Sequence, residues 1–574
     1  MIKLFRFLKS YRIPIAVVFI LVFFQSLSEL YLPTLMSDIV NTGIVKGDTQ
    51  YILKIGRFML LVALGGTICT VVANLLSSRI GVGFSTILRK EIFSKVEGFS
   101  LNEIDKVGTS SLITRTTNDI NQIQQVVIIT LRIIIGAPMM CIGGIIMAVS
   151  KDARLTLIFL AAIPLLGLVI GLIISRGAPF FKIMQVKIDN LNLVLRENLM
   201  GIRVIRAFNR IDYEKKRFNN ANHDLTDTAI RVNKIMAGMM PSIMLIMNIT
   251  TIAIIWFGSI RIDNGSMKVG DMMAFLQYAM QIMFSLVMTT MMFVLVPRAS
   301  ASAIRINEVL DMTSDIKDNP DAQNTDSKRG YVEFKNVIFS FPGAEKPALS
   351  NISFSTKPGE VTAIIGGTGS GKSALINLIM RFYDIDSGEI LVNGKNIKSL
   401  SQKYLRSRIG LVPQKAVLFT GTIEDNIRYG KEDATEEEIK HAADVAQASD
   451  FIANMKDGFK SLISQGGTNV SGGQKQRLSI ARSLVRKPDI YIFDDSFSAL
   501  DFKTDAKLRK ALKKETKNST MIVVAQRVST VMDADRIIVL DDGKIKGIGT
   551  HKELLRDCGI YQEIVYSQLS KEEV

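Results

Sequence analysis

Six apolar stretches, near 13–35, 58–78, 126–149, 155–174, 235–257 and 272–296, limit what the first half of this chain can become. Each is about long enough to cross a hydrocarbon core of roughly 30 Å, and a backbone in lipid must satisfy its own hydrogen bonds. They are read as membrane helices. The first is the least regular, because Gln25 and Glu29 interrupt it. Composition agrees: with 48% hydrophobic residues and a mean hydropathy of +0.25, a 574-residue chain is too apolar for a soluble enzyme. The excess lies before residue 297 or so, and the remainder has the mixed texture of a soluble α/β domain.

The connections between spans alternate in length. Those after the second and fourth spans, about 79–125 and 175–234, are long, and the latter carries Arg176, Lys182, Lys187, Arg196, Arg203, Arg206 and Arg210 among its basic residues. Positive loops mark the cytoplasmic side, which places these loops and both termini there in the cell membrane. Ile188, Leu191, Val194, Leu195 and Leu199 recur at helical spacing, so the spans are expected to continue as helices beyond the bilayer. Residues 1–12, with Lys3, Arg6, Lys9 and Arg12 among apolar neighbours, fit an amphipathic helix at the lipid interface. The rival, a secretory signal, lacks a small-residue cleavage site, and further spans follow it.

The net charge of +16 resides largely in those loops, so no nucleic-acid partner is expected. Cys69, Cys141 and Cys558 are far apart, without disulfide or zinc spacing, and only three histidines are present. Residues 311–330 read as a polar linker containing Pro320. From 331 to 574 a second domain follows, opening with an alternation (Val332, Phe334, Val337, Phe339) that suggests strands at the edge of a mixed sheet.

Within that domain an apolar run, Glu360–Ile365, leads into Gly366-Gly367-Thr368-Gly369-Ser370-Gly371-Lys372-Ser373 and then a helical pattern from Ala374. Strand, GxxxxGK[ST] and helix in that order make a phosphate-binding loop. Its N–H groups and the helix N-terminus cradle phosphates, Lys372 reaches the β- and γ-phosphates, and Ser373 can ligate Mg2+.

Further motifs follow in a fixed order. The apolar strand Ile490–Phe493 ends in Asp494; Val470-Ser471-Gly472-Gly473-Gln474 precedes an amphipathic helix read from Lys475; Gln414 follows Leu411-Val412-Pro413; and Ser498-Ala499-Leu500 leads to Asp501. With six spans ahead of them, these residues resemble those of a half-size ABC exporter: an all-α polytopic membrane domain of six long helices (13–310), then an α/β P-loop ATP-binding-cassette domain. The resemblance covers essentially the whole chain. It implies ATP and Mg2+ as cofactors, with Asp494 and Gln414 joining Ser373 at the metal, and Phe341 stacking on adenine where Tyr is more usual. The alternative for Phe341 is an ordinary buried edge-strand aromatic. The resemblance also implies that Ser471–Gln474 and Asp501 face ATP held by a second subunit, and that 108–119 and 197–218 are coupling segments.

Four departures stand out. Asp495 occupies the place of the family's catalytic Glu, one methylene short of the attacking water. Gln526 replaces the switch histidine, and Ala374 replaces a common Thr after Ser373. The stretch Ser464–Gly467 also lacks the usual acidic, Arg-containing character. The first two fall on one half-site while the signature is intact. This resembles the weak-site subunit of a heterodimeric multidrug exporter, whose partner half-transporter keeps Glu and His. Lipid and small hydrophobic or amphipathic compounds are then the expected contacts. The alternatives are an ATP-gated regulator or channel, and a lipid or peptide exporter. Methionines 236, 239, 240, 244, 247, 280, 283, 288, 291 and 292 either line a substrate path or merely pack. Glu29 and Arg132 are ionisable groups in or beside spans.

Overall fold

The computed structural model describes residues 1–320, 322 and 329–569; the rest of the expected linker, 321 and 323–328, lies outside them, as does the Met291 side chain. The chain divides into two units: Met1–Glu97 with Thr109–Met312, and Gly98–Gly108 with Thr313–Val574.

The first unit is helical and contains six helices able to span a membrane: Ile2–Ile44, Thr49–Glu97, Thr109–Lys151, Leu157–Met200, Ile211–Asp263 and Val269–Asp311. Each extends past its apolar stretch, as the helical spacing predicts. Only 11–28% of each apolar window is buried within the chain, so most of that surface must meet lipid or another subunit. Polar ties hold the unit together at separate places. Lys151 donates to Asp271 (2.9 Å), which also accepts from Ser37 (2.7 Å). Asp119, essentially buried, accepts from Ser302 (2.8 Å) and pairs with Arg305. Met239, Met247 and Met283 pack in a cluster with Leu166, Ile170 and Ile243. Met240, Met244 and Met280 stand exposed, so packing accounts for only part of the methionine set.

Among its described residues the second unit carries twelve strands: β1 Val332–Phe339, β2 Leu349–Thr356, β3 Val361–Ile365, β4 Ser387–Val392, β5 Lys395–Asn396, β6 Ile409–Val412, β7 Gly421–Thr422, β8 Leu462–Ile463, β9 Ile490–Asp494, β10 Thr520–Val524, β11 Arg536–Asp541 and β12 Lys544–Gly549. The main sheet runs β12-β11-β3-β10-β9-β6, parallel except for the β11–β12 pair. Both its faces are covered, which is why β3 is apolar but for Thr362: Ile364 enters one core while Ala363 and Ile365 enter the other.

The opening strand differs from the expectation. β1 is no edge of a mixed sheet; it lies between β2 and β4 in a separate antiparallel sheet, β2-β1-β4-β5. Alternating burial is as true of a central strand with one buried face as of an edge, so the pattern alone does not choose. The segment 108–119, expected to couple the domains, spans the boundary between the units: Thr109–Asp119 belongs to the first unit, and Gly108 ends Gly98–Gly108 of the second. There a short helix, Leu101–Val107, starts on a capping box between Ser100 and Glu103 and stops at Gly108, whose φ is +80°. Asn102 donates to Asp315 (2.7 Å).

Candidate functional site

Parallel strands leave their C-terminal ends at a common edge, and there a cavity of about 380 Å3 opens in the second unit. The loop from Gly366 to Gly371 joins β3 to the helix Lys372–Ile379. Two of its glycines are required by contact. A Cβ on Gly366 would lie 2.0 Å from the Leu540 carbonyl, and Gly371 has φ +100° with the Ala348 carbonyl 2.9 Å from any Cβ. Lys372 is 9% exposed and donates to the carbonyls of Gly366 (2.8 Å) and Gly367 (2.6 Å). Burial pushes its ammonium below the ordinary lysine range, against the opposing charges of Asp494 and Asp495.

Around that lysine the fold gathers Thr368, Gly369, Ser373, Ala374, Gln414, Asp494, Asp495, Gln526 and Phe341 on one cavity wall or another. Gly366, Gly367 and Ser370 form the loop's inner turn, with the Ser370 hydroxyl 3.3 Å from the Lys372 Nζ. Asp494 ends β9, and burial, then the neighbouring Asp495 charge, hold its carboxyl above the usual range, with Lys372 opposing. Asp495 has φ +44°, a left-handed conformation that Asp tolerates better than most residues. Its N–H donates to Val524 (2.8 Å), and its carboxylate accepts from the Gln414 amide (3.3 Å). Phe341 is 39% exposed, so it is not the buried aromatic of the alternative reading. Tyr383 supports it edge-on, ring centroids 5.5 Å apart.

Ser471–Gln474 and Asp501 do not line this cavity. They build a second polar surface of the same unit. The helix read from Lys475 begins earlier, at Gly472, because Ser471 caps it: the Ser471 N–H donates to the Gln474 side chain (2.9 Å) while its hydroxyl accepts the Gln474 N–H (3.3 Å). The Ser-x-x-Gln spacing was the signal for that start. A Cβ on Gly473 would come within 3.1 Å of the Ala499 carbonyl, so the turn passes tightly beside the loop leading to Asp501. Asp501 caps the helix Phe502–Glu515, and the Thr504 amide it accepts (2.9 Å) holds its carboxyl below the usual range. Farther along the capped helix, Gln476 donates to the carbonyl of Pro413 (3.2 Å), the residue before Gln414.

Family models match on both sides: the ABC transporter transmembrane region over residues 15–286 and the ABC transporter model over 349–498. An uncharacterised ABC transporter ATP-binding protein of Mycobacterium tuberculosis is 44% identical over 566 residues, 98% of this chain and 97% of that one. The chain belongs to the ABC transporter family. An ATP-dependent lipid A-core flippase of Syntrophus aciditrophicus is 32% identical, with 88% of this chain and 84% of that one covered. A solved structure of a bacterial Atm1-family ABC exporter with ATP bound superposes with a TM-score of 0.81 at 26% identity, covering 98% and 99%.

This ABC protein is therefore a multi-pass half-exporter whose second unit is the family's ATP-binding, ATP-hydrolysing domain. Motif reading missed three cavity neighbours: Ala348, Val524 and, behind Phe341, Tyr383. Ala348 and Val524 line the cavity by placement alone, and no pattern in their residue type announces it. Tyr383 lies in a loop after the phosphate-loop helix and is brought to Phe341 only by the fold.

Proposed function

We propose that this half-exporter works with a non-identical partner, holding ATP on its own phosphate loop while hydrolysing it poorly there. The observation that carries the reading is the convergence of Asp495 and Gln526 on the cavity of Lys372, Asp494 and Gln414. Binding groups are all present: a lysine, a glycine loop, a helix N-terminus and an exposed aromatic face. The hydrolytic groups are a short carboxylate and an amide in place of Glu and His, and a misplaced general base costs factors of roughly a hundred.

The Ser373 hydroxyl, the Asp494 carboxylate and the Gln414 amide oxygen are hard donors on one cavity, a set that suits Mg2+. When bound, the ion would neutralise phosphate charge; Asp494, whose ionised form is disfavoured by burial and Asp495, gains most from such a neighbour. Lys372 orients the phosphates, and Phe341 with Tyr383 behind it gives the base a flat support. Ser471–Gln474 and Asp501, away from this cavity, are left to complete the partner's competent site. Both termini and the long loops lie on the cytoplasmic side in this reading, with Leu101–Val107 as a coupling helix.

For cargo we propose hydrophobic or amphipathic compounds passing through the membrane unit. A lipid is the more specific choice, supported by the flippase among the relatives. The test of the heterodimer is direct. ATPase activity of the pure chain should be low and should rise at least about tenfold on co-assembly with the half-transporter that co-purifies from its native membrane. Equal activity of the pure chain and the complex would overturn the reading.

A further inference from the structure

Gln526 stands in a segment whose backbone is held from two sides. On one side, the Ala525 N–H donates to the Ile364 carbonyl of β3 (3.2 Å). On the other, a single side chain spans the segment. Gln568 donates from Nε2 to the Gln526 carbonyl (2.8 Å), and its Oε1 accepts the Val528 N–H (2.9 Å). A glutamine amide offers one donor edge and one acceptor edge, as a peptide group does, so this pair of bonds copies one rung of a sheet on either side of Arg527. Arg527 itself donates to the Ser498 carbonyl (3.3 Å), in the loop that leads to Asp501.

Gln568 is delivered by a well-anchored body. It lies two residues past the helix Gly559–Tyr566, in which Tyr561 and Val565 are fully buried. The Tyr561 hydroxyl lies 2.7 Å from the His551 Nδ1, and Leu569 packs against the same core as Val528 and Val531. The Gln526 carbonyl and the Val528 N–H, both bonded by Gln568, thus fix the direction in which residue 526 enters the nucleotide cavity.

We propose that Gln568 is a positioning residue that sets residue 526 against the phosphate end of the cavity, so that the packing of the helix Gly559–Tyr566 controls hydrolysis at this site. The inference rests on the reading of Gln526 as the switch residue. It predicts that anything displacing the helix Gly559–Tyr566 alters turnover before it alters nucleotide affinity.

Two measurements on the full-length chain, co-purified with its partner, test it. Hydrogen exchange over residues 525–531 should quicken about tenfold in Gln568→Ala, through loss of the bond protecting the Val528 N–H, with the unfolding midpoint unchanged. Gln568→Glu, which still accepts that N–H, should restore most of the protection. Turnover is then read with Asp495→Glu and Gln526→His installed. Adding Gln568→Ala there should reduce the gain in kcat roughly three- to tenfold at constant KM for ATP, the loss expected from one or two neutral hydrogen bonds. Unchanged exchange in Gln568→Ala overturns the proposal, and so does a kcat gain indifferent to residue 568. If exchange responds but the double replacement brings no gain at all, the clamp stands and the weak-site reading falls.

Discussion

On the proposed reading the phosphate-loop cavity and the signature turn both serve ATP, yet they are built differently. The cavity sets a buried lysine against two adjacent carboxylates, so charge is concentrated: both carboxylates act on Lys372, and Asp495 acts on Asp494. The signature turn relies on a helix N-terminus, capped by Ser471 and Gln474, with no carboxylate in the cap. Its donors are backbone groups, which substitution scarcely touches. The cavity's catalytic geometry depends on side-chain length, and there one missing methylene and one lost imidazole matter. Decay of function is therefore expected on the cavity side first, with binding outlasting hydrolysis.

The largest effect should come from Lys372→Ala. Loss of the cation on the β- and γ-phosphates should abolish photolabelling of this chain by an azido-ATP analogue, a drop of at least about a hundredfold. Undiminished labelling would mean that the cavity is not where this chain holds ATP, and the contrast with the signature turn would collapse.

Next in size is the difference between the two sites in the assembled transporter. Ser471→Ala should lower ATPase of the complex about tenfold or more, because it damages the competent site. Asp495→Asn, acting at the proposed weak site, should change it by less than about threefold. Ser471 also caps a 13-residue helix, and losing a cap costs about 1 kcal/mol. Ser471→Asn keeps a capping group and separates the two effects: activity falls while the unfolding midpoint holds. Equal losses from Ser471→Ala and Asp495→Asn would break the asymmetry.

A smaller gain should follow from restoring the cavity. Asp495→Glu with Gln526→His should raise hydrolysis at this chain's own site about tenfold in single-turnover measurements. Asp495→Glu alone should give less than its share, for a reason visible only in the structure. Residue 495 has φ +44°, and a longer side chain gives up the local tolerance that Asp has there, at roughly 1 kcal/mol.

What could be read from the sequence divides along physical lines. The spans were legible because lipid permits few alternatives, and the phosphate loop because Gly366 and Gly371 are forced by backbone approach. Asp495 and Gln526 stood out because they break the resembled pattern at known offsets, and both line the cavity. The start of the signature helix was encoded in Ser471 and Gln474 but read three residues late, from the amphipathic run instead of the cap. The helix Leu101–Val107 carried the same kind of cap in Ser100 and Glu103. Tyr383 behind Phe341, and Gln568 across the switch segment, were not legible. Both depend on loops brought together by the fold, and neither residue type signals its contact. Strand pairing failed for a similar reason: alternation reports a buried face and is silent about neighbours.

The smallest effect concerns pH, and its sign follows from the two carboxylates. Burial, and next the charge of Asp495, raise the Asp494 carboxyl above its ordinary value. The folded, nucleotide-free domain thus binds this proton more tightly than the unfolded chain. Its contribution to stability is full below the unfolded value and is lost as pH rises through the raised folded one. Mg2+ needs the ionised carboxylate, so Mg2+-dependent tightening of nucleotide binding should weaken as pH falls through that same raised value. Asp495→Asn removes one of the two named causes and leaves burial in place. The midpoint of the Mg2+ effect, read as the difference between binding with and without Mg2+, should move to lower pH. Titrating a fluorescent ATP analogue with and without Mg2+, across the carboxylate range, measures it. A midpoint that stays put in Asp495→Asn would show that the two carboxylates do not share their charge, and the cavity would then be no more coupled than the signature turn.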